Sequence, residues 1–304
     1  MEREELLKKL EKAIAFSQQS RWQRLFQKPL FTLFRSLIAR FFNSTGNRLV
    51  FPFKTATFWG ESMFVFLPDP LSIFQWSFLN SEPEIRLMKF LINNLPSGGI
   101  FFDVGAHLGF YSLLAGKLVG GNGRVHAFEP TPRTFLFLRK NIDNKTNFFV
   151  NQLACWEKTG EIEFTDLGST ASSMNTYLPI AVVEKLTPEL VRLKHRLKVK
   201  TISLDDYRQA NKLTRLDFIK IDVERAEPFV LRGAKEVLTK FHPIVSIEVI
   251  RDRYEQSDQE AMALLKELGY QLFSLDSKAN PIPFEKSKTD LPYENLIAVY
   301  REQN

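Results

Sequence analysis

The chain has 304 residues, 44% of them hydrophobic, and a formal charge of +6 that is unevenly placed: residues 1–60 hold eleven Lys/Arg against four Glu, and residues 61–304 hold thirty basic against thirty-one acidic side chains. This length suits one large domain or two small ones with a sizeable core, and the apolar share excludes a disordered chain. A single cysteine, Cys155, excludes an intramolecular disulfide framework and a multi-cysteine zinc site, the four scattered His residues form no paired metal motif, and no apolar run reaches membrane-spanning length.

Met1–Lys12 carries both signs of charge and lacks an apolar core, so it does not read as a signal peptide and a cytoplasmic setting is expected. Residues 2–19 have a helical composition, and Pro29 suits the first turn of a second helix. From Leu30 to Phe42 the apolar side chains recur at helical spacing in a wide stripe, with Arg35 and Arg40 on or beside the other face. No acidic residue stands between Glu11 and Glu61, against eight Lys/Arg. Three readings of residues 21–54 are open: a helix docked on the main domain with its basic side in water, an interfacial helix in peripheral contact with an anionic membrane, or a nucleic-acid arm. Residues 48–80 alternate weakly and read as short strands or a hairpin. Residues 1–80 are thus expected to form a basic, Phe-rich extension, ahead of a domain over residues 81–304.

A helix is expected over Glu82–Leu95. Strands and helices then alternate: strand Ile100–Val104, helix Tyr111–Leu118, strand Arg124–Glu129, helix Pro132–Ile142 and strand Phe148–Ala154. Residues 166–196 interrupt the pattern as an inserted segment. The alternation resumes with strand Leu216–Asp222, helix Glu227–Thr239, strand Ile244–Val249, helix Ser257–Leu268 and strands Tyr270–Leu275 and Leu296–Tyr300. Such alternation predicts an α/β fold whose mainly parallel sheet is covered on both faces.

Four motifs fall at strand ends, where open α/β sheets bind ligands. The run Asp103-Val104-Gly105-Ala106-His107-Leu108-Gly109 closes a buried strand with a glycine turn, which lets a ligand approach the backbone. It is not the dinucleotide fingerprint, because the third glycine is missing and His stands at 107. In Phe128-Glu129-Pro130, the strand-end carboxylate can accept both ribose hydroxyls of a nucleoside. The strand through Lys220 delivers Asp222 to the same rim, with Glu224 and Glu227 following. The fourth motif places Glu248 near the end of the next strand.

Taken together, Asp103-Val-Gly-Ala-x-x-Gly, Phe128-Glu129-Pro130, Lys220-Ile-Asp222-Val-Glu224-x-Ala-Glu227, Leu231-Arg-Gly-Ala234 and Glu248 resemble the FkbM-type methyltransferases over about residues 82–275. The resemblance implies a class I methyltransferase fold with a doubly wound, mostly parallel seven-stranded sheet, and S-adenosyl-L-methionine as cofactor. It implies that the turn through Asp103, Gly105, His107 and Gly109 holds the methionine end and that Glu129-Pro130 holds the ribose, with Asp222 close to the cofactor. Ser172-Ser173 resembles a serine-rich patch of that family. Two positions depart from it: His107 stands where Asn is usual, and Arg225 where Gly is usual.

A hydroxyl acceptor must lose its proton around methyl transfer, so a general base is needed. Asp222, Glu224 and Glu248 are the candidates, with Glu224 and Glu248 near the acceptor and Asp222 either base or orienter. Clustered acids also suit a divalent cation, but their spacing singles none out and no metal ligand is assigned. His107 reads as a pocket wall rather than a base, and Cys155 as a buried bystander thiol near the adenine position. The basic run from Arg192 to Lys200 is either a solvated face or a contact for an anionic acceptor. The function expected is O-methylation of a sugar hydroxyl on a glycan, lipid-linked saccharide or secondary metabolite; the alternative is a cofactor-binding protein without catalysis. A nucleic-acid methyltransferase is disfavoured, because the strand runs into Asp222-Val-Glu224 rather than a Pro-Pro-aromatic motif.

Overall fold

A computed structural model describes residues 3–44, 51–67, 70–143, 145–166, 195–250, 256–287 and 290–302. Three helices open the chain: α1 (Arg3–Gln18), α2 (Arg21–Gln27) and α3 (Pro29–Ser44). The sequence pattern anticipates the first and last. The middle one is set off by Ser20, which accepts from the Gln23 amide while the Gln23 side chain accepts from the Ser20 amide, a reciprocal cap that starts a new helix. Strands β1 (Phe51–Ala56) and β2 (Ser62–Leu67) pair antiparallel, and the short α4 (Leu71–Trp76) follows.

The first half of the main sheet comes from α5 (Glu82–Asn94), β3 (Ile100–Val104), α6 (Phe110–Val119), β4 (Arg124–Phe128), α7 (Pro132–Ile142) and β5 (Phe148–Asn151). A three-stranded side sheet interrupts it, built from β6 (Ala154–Cys155), β7 (Gly160–Asp166) and β8 (His195–Ile202), and α8 (Leu204–Ala210) leads back. The second half comprises β9 (Phe218–Ile221), α9 (Glu227–Arg232), α10 (Lys235–Phe241), β10 (Ile244–Ile250), α11 (Gln256–Glu267), β11 (Tyr270–Leu275), β12 (Pro281–Pro283) and β13 (Tyr293–Tyr300).

The strand order is β12-β11-β13-β10-β9-β3-β4-β5. Strands β5, β4, β3, β9 and β10 run parallel, and β13 inserts antiparallel between β10 and β11. This is the doubly wound, mostly parallel sheet that the sequence resemblance implies, its seven strands extended at one edge by the short β12. Side chains alternate across it. Phe101 and Phe218 join the core under α5, α6 and α7, whereas Phe102 and Ile219 join the core under α8, α9, α10 and α11.

Two elements differ from expectation. The strand expected over 148–154 is two strands: β5 pairs with β4, and Ala154–Cys155 turns away to pair with β8. The helix expected over 227–239 breaks at Gly233, where a Cβ would sit 2.1 Å from the Trp156 carbonyl oxygen, so the backbones meet too closely for any other residue. Residues 167–194, most of the expected insertion and with them Ser172, Ser173, Arg192 and Lys194, lie outside the described residues. The segment's two ends, Asp166 and His195, pair with each other across β7 and β8. On that ladder Lys198 stands opposite Glu163 and Lys200 opposite Glu161, so these cations face acidic neighbours.

Helix α1 belongs to the core of the sheet: Leu6 and Leu10 are fully buried in it, and the Arg3 guanidinium donates to the carbonyls of Ile92 and Leu95 at the end of α5.

Candidate active site

Strand order reverses at β3, which lies between β4 and β9, and the crevice beyond their carboxyl ends is where such sheets bind ligands. There a cavity of about 450 Å³ opens. The turn after β3 is tied to β4 by the Gly105 and Ala106 amides, which both donate to the Phe128 carbonyl at 3.1 and 2.9 Å. Gly105 has φ +80°, and a Cβ there would lie 1.8 Å from the Asp222 carbonyl oxygen. Only glycine lets the turn pass this close to the end of β9. His107 follows in the left-handed region with φ +50°.

The carboxylate of Glu129 knits this turn to the next. Its Oε2 accepts from the His107 amide at 3.1 Å and its Oε1 from the Thr131 amide at 2.9 Å. Burial lifts Glu129 to about 7, against the pull of these amides. The Thr131 side chain also hydrogen-bonds to this carboxylate and works against the burial. Asp103 is 1% exposed; its Oδ2 accepts from Ser112 Oγ at 2.6 Å and its Oδ1 has no protein partner. Burial raises Asp103, with Lys220 pulling the other way. At the far end the cavity wall turns apolar, with Phe128, Ala154 and Cys155. Burial also pushes the Cys155 thiol well up, which leaves it unreactive.

The acidic residues expected from the strand ends converge. Carboxylate oxygens of Asp222, Glu224 and Glu248 lie within 4.8 Å of one another, close enough to ligate one divalent cation together. Burial, and then the charges of Asp222, Glu224, Glu84 and Glu227, push Glu248 well above the usual carboxylate range. Glu227 takes a different part. It stands outside the cavity wall, and its Oε1 accepts from the Val223 amide at 3.2 Å, bracing the acidic turn. Burial holds it at about 7.

Of the residues singled out in the sequence, Asp103, Gly105, His107, Glu129, Pro130, Asp222, Glu224 and Glu248 all line this cavity. Gly109 does not. It caps α6 with φ +86° and packs its Cα toward Leu138, so its part is in the turn. Two further residues of the wall, Glu84 and Tyr293, carry no signal in the sequence. Glu84, from the first turn of α5, accepts from Tyr111 Oη at 2.6 Å and from Asn295 Nδ2 at 3.0 Å. Tyr293 Oη donates to Ser81 Oγ at 2.7 Å. An acid in the first turn of a helix reads locally as a partner of the helix dipole, and only the return of β13 beside α5 gives Glu84 its other role. Lys220, quoted in the motif but given no role there, also lines the wall and donates to Asp222 Oδ2 at 2.8 Å.

A family profile described as the methyltransferase FkbM domain matches residues 103–272, more than half of the chain. The chain belongs to the FkbM methyltransferase family. S-adenosylmethionine is the cofactor of this family. Among similar proteins are the 31-O-demethyl-FK506 methyltransferase FkbM of Streptomyces tacrolimicus, 27% identical over 47% of this chain and 62% of its own length. The hexuronic acid methyltransferase AglP of Haloferax volcanii is 22% identical over 56% of this chain and 64% of its own length. The 2-O-methyltransferase NoeI of Sinorhizobium fredii is 28% identical over 45% of this chain and 55% of its own length. The chain therefore spans less than two thirds of each of these relatives. Among its described residues, no helix is long and apolar enough to cross a membrane.

Proposed function

We propose that this FkbM methyltransferase transfers a methyl group to a sugar hydroxyl of a glycan, lipid-linked saccharide or secondary metabolite. One observation carries the reading: the carboxylates of Asp222, Glu224 and Glu248 converge in the same cavity as Glu129. That joins a nucleoside-binding end to a proton-accepting end. The similarity to AglP, a hexuronic acid methyltransferase, and NoeI, a 2-O-methyltransferase, supports a sugar hydroxyl as acceptor.

The donor set fits S-adenosylmethionine. Glu129 would accept from the ribose hydroxyls, and the apolar wall at Phe128, Ala154 and Cys155 would take the adenine. The orphaned Oδ1 of Asp103 would accept from the ammonium of the methionine end. Bound, the cofactor would supply an electrophilic methyl carbon on a sulfonium, and the residues of this cavity would hold the acceptor oxygen toward it. Glu248 or Glu224 accepts the hydroxyl proton, and Asp222, held by Lys220, orients the acceptor.

Calorimetry with S-adenosylhomocysteine tests the cofactor site: the intact protein binds and Glu129→Ala weakens binding strongly. Unchanged binding by that variant overturns the assignment. Mass spectrometry of glycans and metabolites from cells with and without the gene identifies the acceptor by a missing methyl group.

A second reading rests on Arg225, which has φ +78° in the acidic turn, where the family usually has Gly. A chain that binds the cofactor without turnover would regain activity on Arg225→Gly; turnover by the unaltered protein ends this reading.

A further inference from the structure

Helices α2 and α3 turn their apolar side chains the wrong way for a helix in water. Trp22 and Phe26 are spaced by four on α2, and Leu30, Leu33 and Leu37 by three and four on α3, an apolar stripe on each helix. Both stripes are open: Trp22 is 77% exposed, Phe26 93% and Leu30 83%. The inward face mixes polar groups with Ile38, which packs on the core, and Phe31, which meets Phe16. Thr32 is buried and donates to the Arg24 carbonyl at 3.1 Å, and Arg35 reaches Thr55 Oγ1 at 2.9 Å with its guanidinium over the rings of Phe31 and Phe74. An exposed apolar surface of this kind marks a contact site.

Charge selects the occupant. Arg21, Lys28 and Arg40 are exposed on or between these two helices, and no acidic residue falls between Glu11 and Glu61. The two helices therefore expose apolar side chains together with charges of one sign. A second copy of the chain would bring like charges together, and a nucleic acid would leave the Phe and Leu side chains without apolar partners. An anionic lipid surface satisfies both parts, with the apolar side chains entering the acyl boundary and the cations meeting the headgroups.

We propose that the α2–α3 face docks this enzyme on an anionic membrane surface. Docking also bears on the cavity. Phe34 of α3 packs on Phe74 of α4, and Leu71, Ser72 and Ile73 of α4 line the cavity wall. Helix α3 is thus one element away from the cavity.

Co-sedimentation of the full chain with phosphatidylcholine vesicles, plain or enriched in phosphatidylserine, tests the proposal. The chain pellets with the anionic vesicles, and high salt releases it. Arg21→Gln and Arg40→Gln each weaken binding about five-fold. Phe26→Asp with Leu30→Asp abolishes it, while S-adenosylhomocysteine binding and the thermal midpoint stay unchanged, which separates loss of docking from loss of fold. No pelleting with either vesicle, or equal pelleting with both, overturns the proposal. So does a dimer in sedimentation equilibrium that Leu30→Asp disperses without any vesicle binding.

Discussion

Lys220 and Asp222 leave β9 on the same face, two residues apart, and the Lys220 ammonium donates to Asp222 Oδ2 at 2.8 Å while only 4% of Lys220 is exposed. Register places Lys220 directly beside Asp103 on β3. Burial alone would discharge the lysine, but Asp222, Asp103 and Glu84 outweigh it and hold the ammonium charged. One buried cation thus neutralises a site built from acids.

Replacing it should be costly. Lys220→Met leaves buried carboxylates without their counter-charge and is expected to lower the unfolding free energy by about 3–5 kcal/mol. Urea unfolding measures this. A loss below about 1 kcal/mol would mean that solvent, not Lys220, balances the acids.

Cofactor binding should depend on pH through Glu129. A ribose diol donates to the carboxylate form, and Glu129 ionises at about 7 in the fold. Affinity for S-adenosylhomocysteine is expected to rise from pH 6 to 8, by about ten-fold per pH unit at the acidic end. Glu129→Gln binds weakly with that dependence removed. Stability of the ligand-free chain runs the other way. Glu129 and Glu227 stand at about 7 against an ordinary 4.5, so the folded chain keeps protons that the unfolded chain releases. Their contribution is full below about 4.5 and is lost as pH rises through about 7. Thermal midpoints across this range show the fall, and Glu227→Gln reduces it.

Arg225 is held at φ +78°, a conformation that costs an L-residue roughly 1–2 kcal/mol and a glycine little. Arg225→Gly is expected to stabilise the fold by about 1 kcal/mol, read as a higher denaturant midpoint at unchanged slope. Comparing turnover of the two proteins shows whether the arginine also limits catalysis.

Helix α1 should behave as core. Leu10 is fully buried against the elements of the main sheet, so Leu10→Ala is expected to cost about 2–5 kcal/mol. Removal of α1 would then lower the thermal midpoint of the whole chain.

The order of strands and helices was legible because burial on both faces leaves unbroken apolar runs such as Ile100–Val104 and Ile244–Val249, and these are local patterns. The glycine turn at Gly105 and the strand-end acids Glu129, Asp222 and Glu248 were legible for the same reason, since each needs only its own strand and turn. Less visible were the break at Gly233, the departure of Ala154–Cys155 into the side sheet, and the placing of Gly109 against Leu138. Each depends on a partner segment distant in sequence.

Sequence alone therefore settled the layout of the nucleotide-binding half, where neighbouring residues carry the signal. Only the tertiary structure decided which charges meet. Glu84 and Asn295 are 211 positions apart and hydrogen-bond because β13 inserts beside β10 and returns to α5. Lys220 points at the acids rather than at the opposite core because the pleat of β9 puts it on the face of Asp103. No local pattern carries that information, since the sign of a side chain is written in the chain while the field it feels is set by whatever the fold brings beside it.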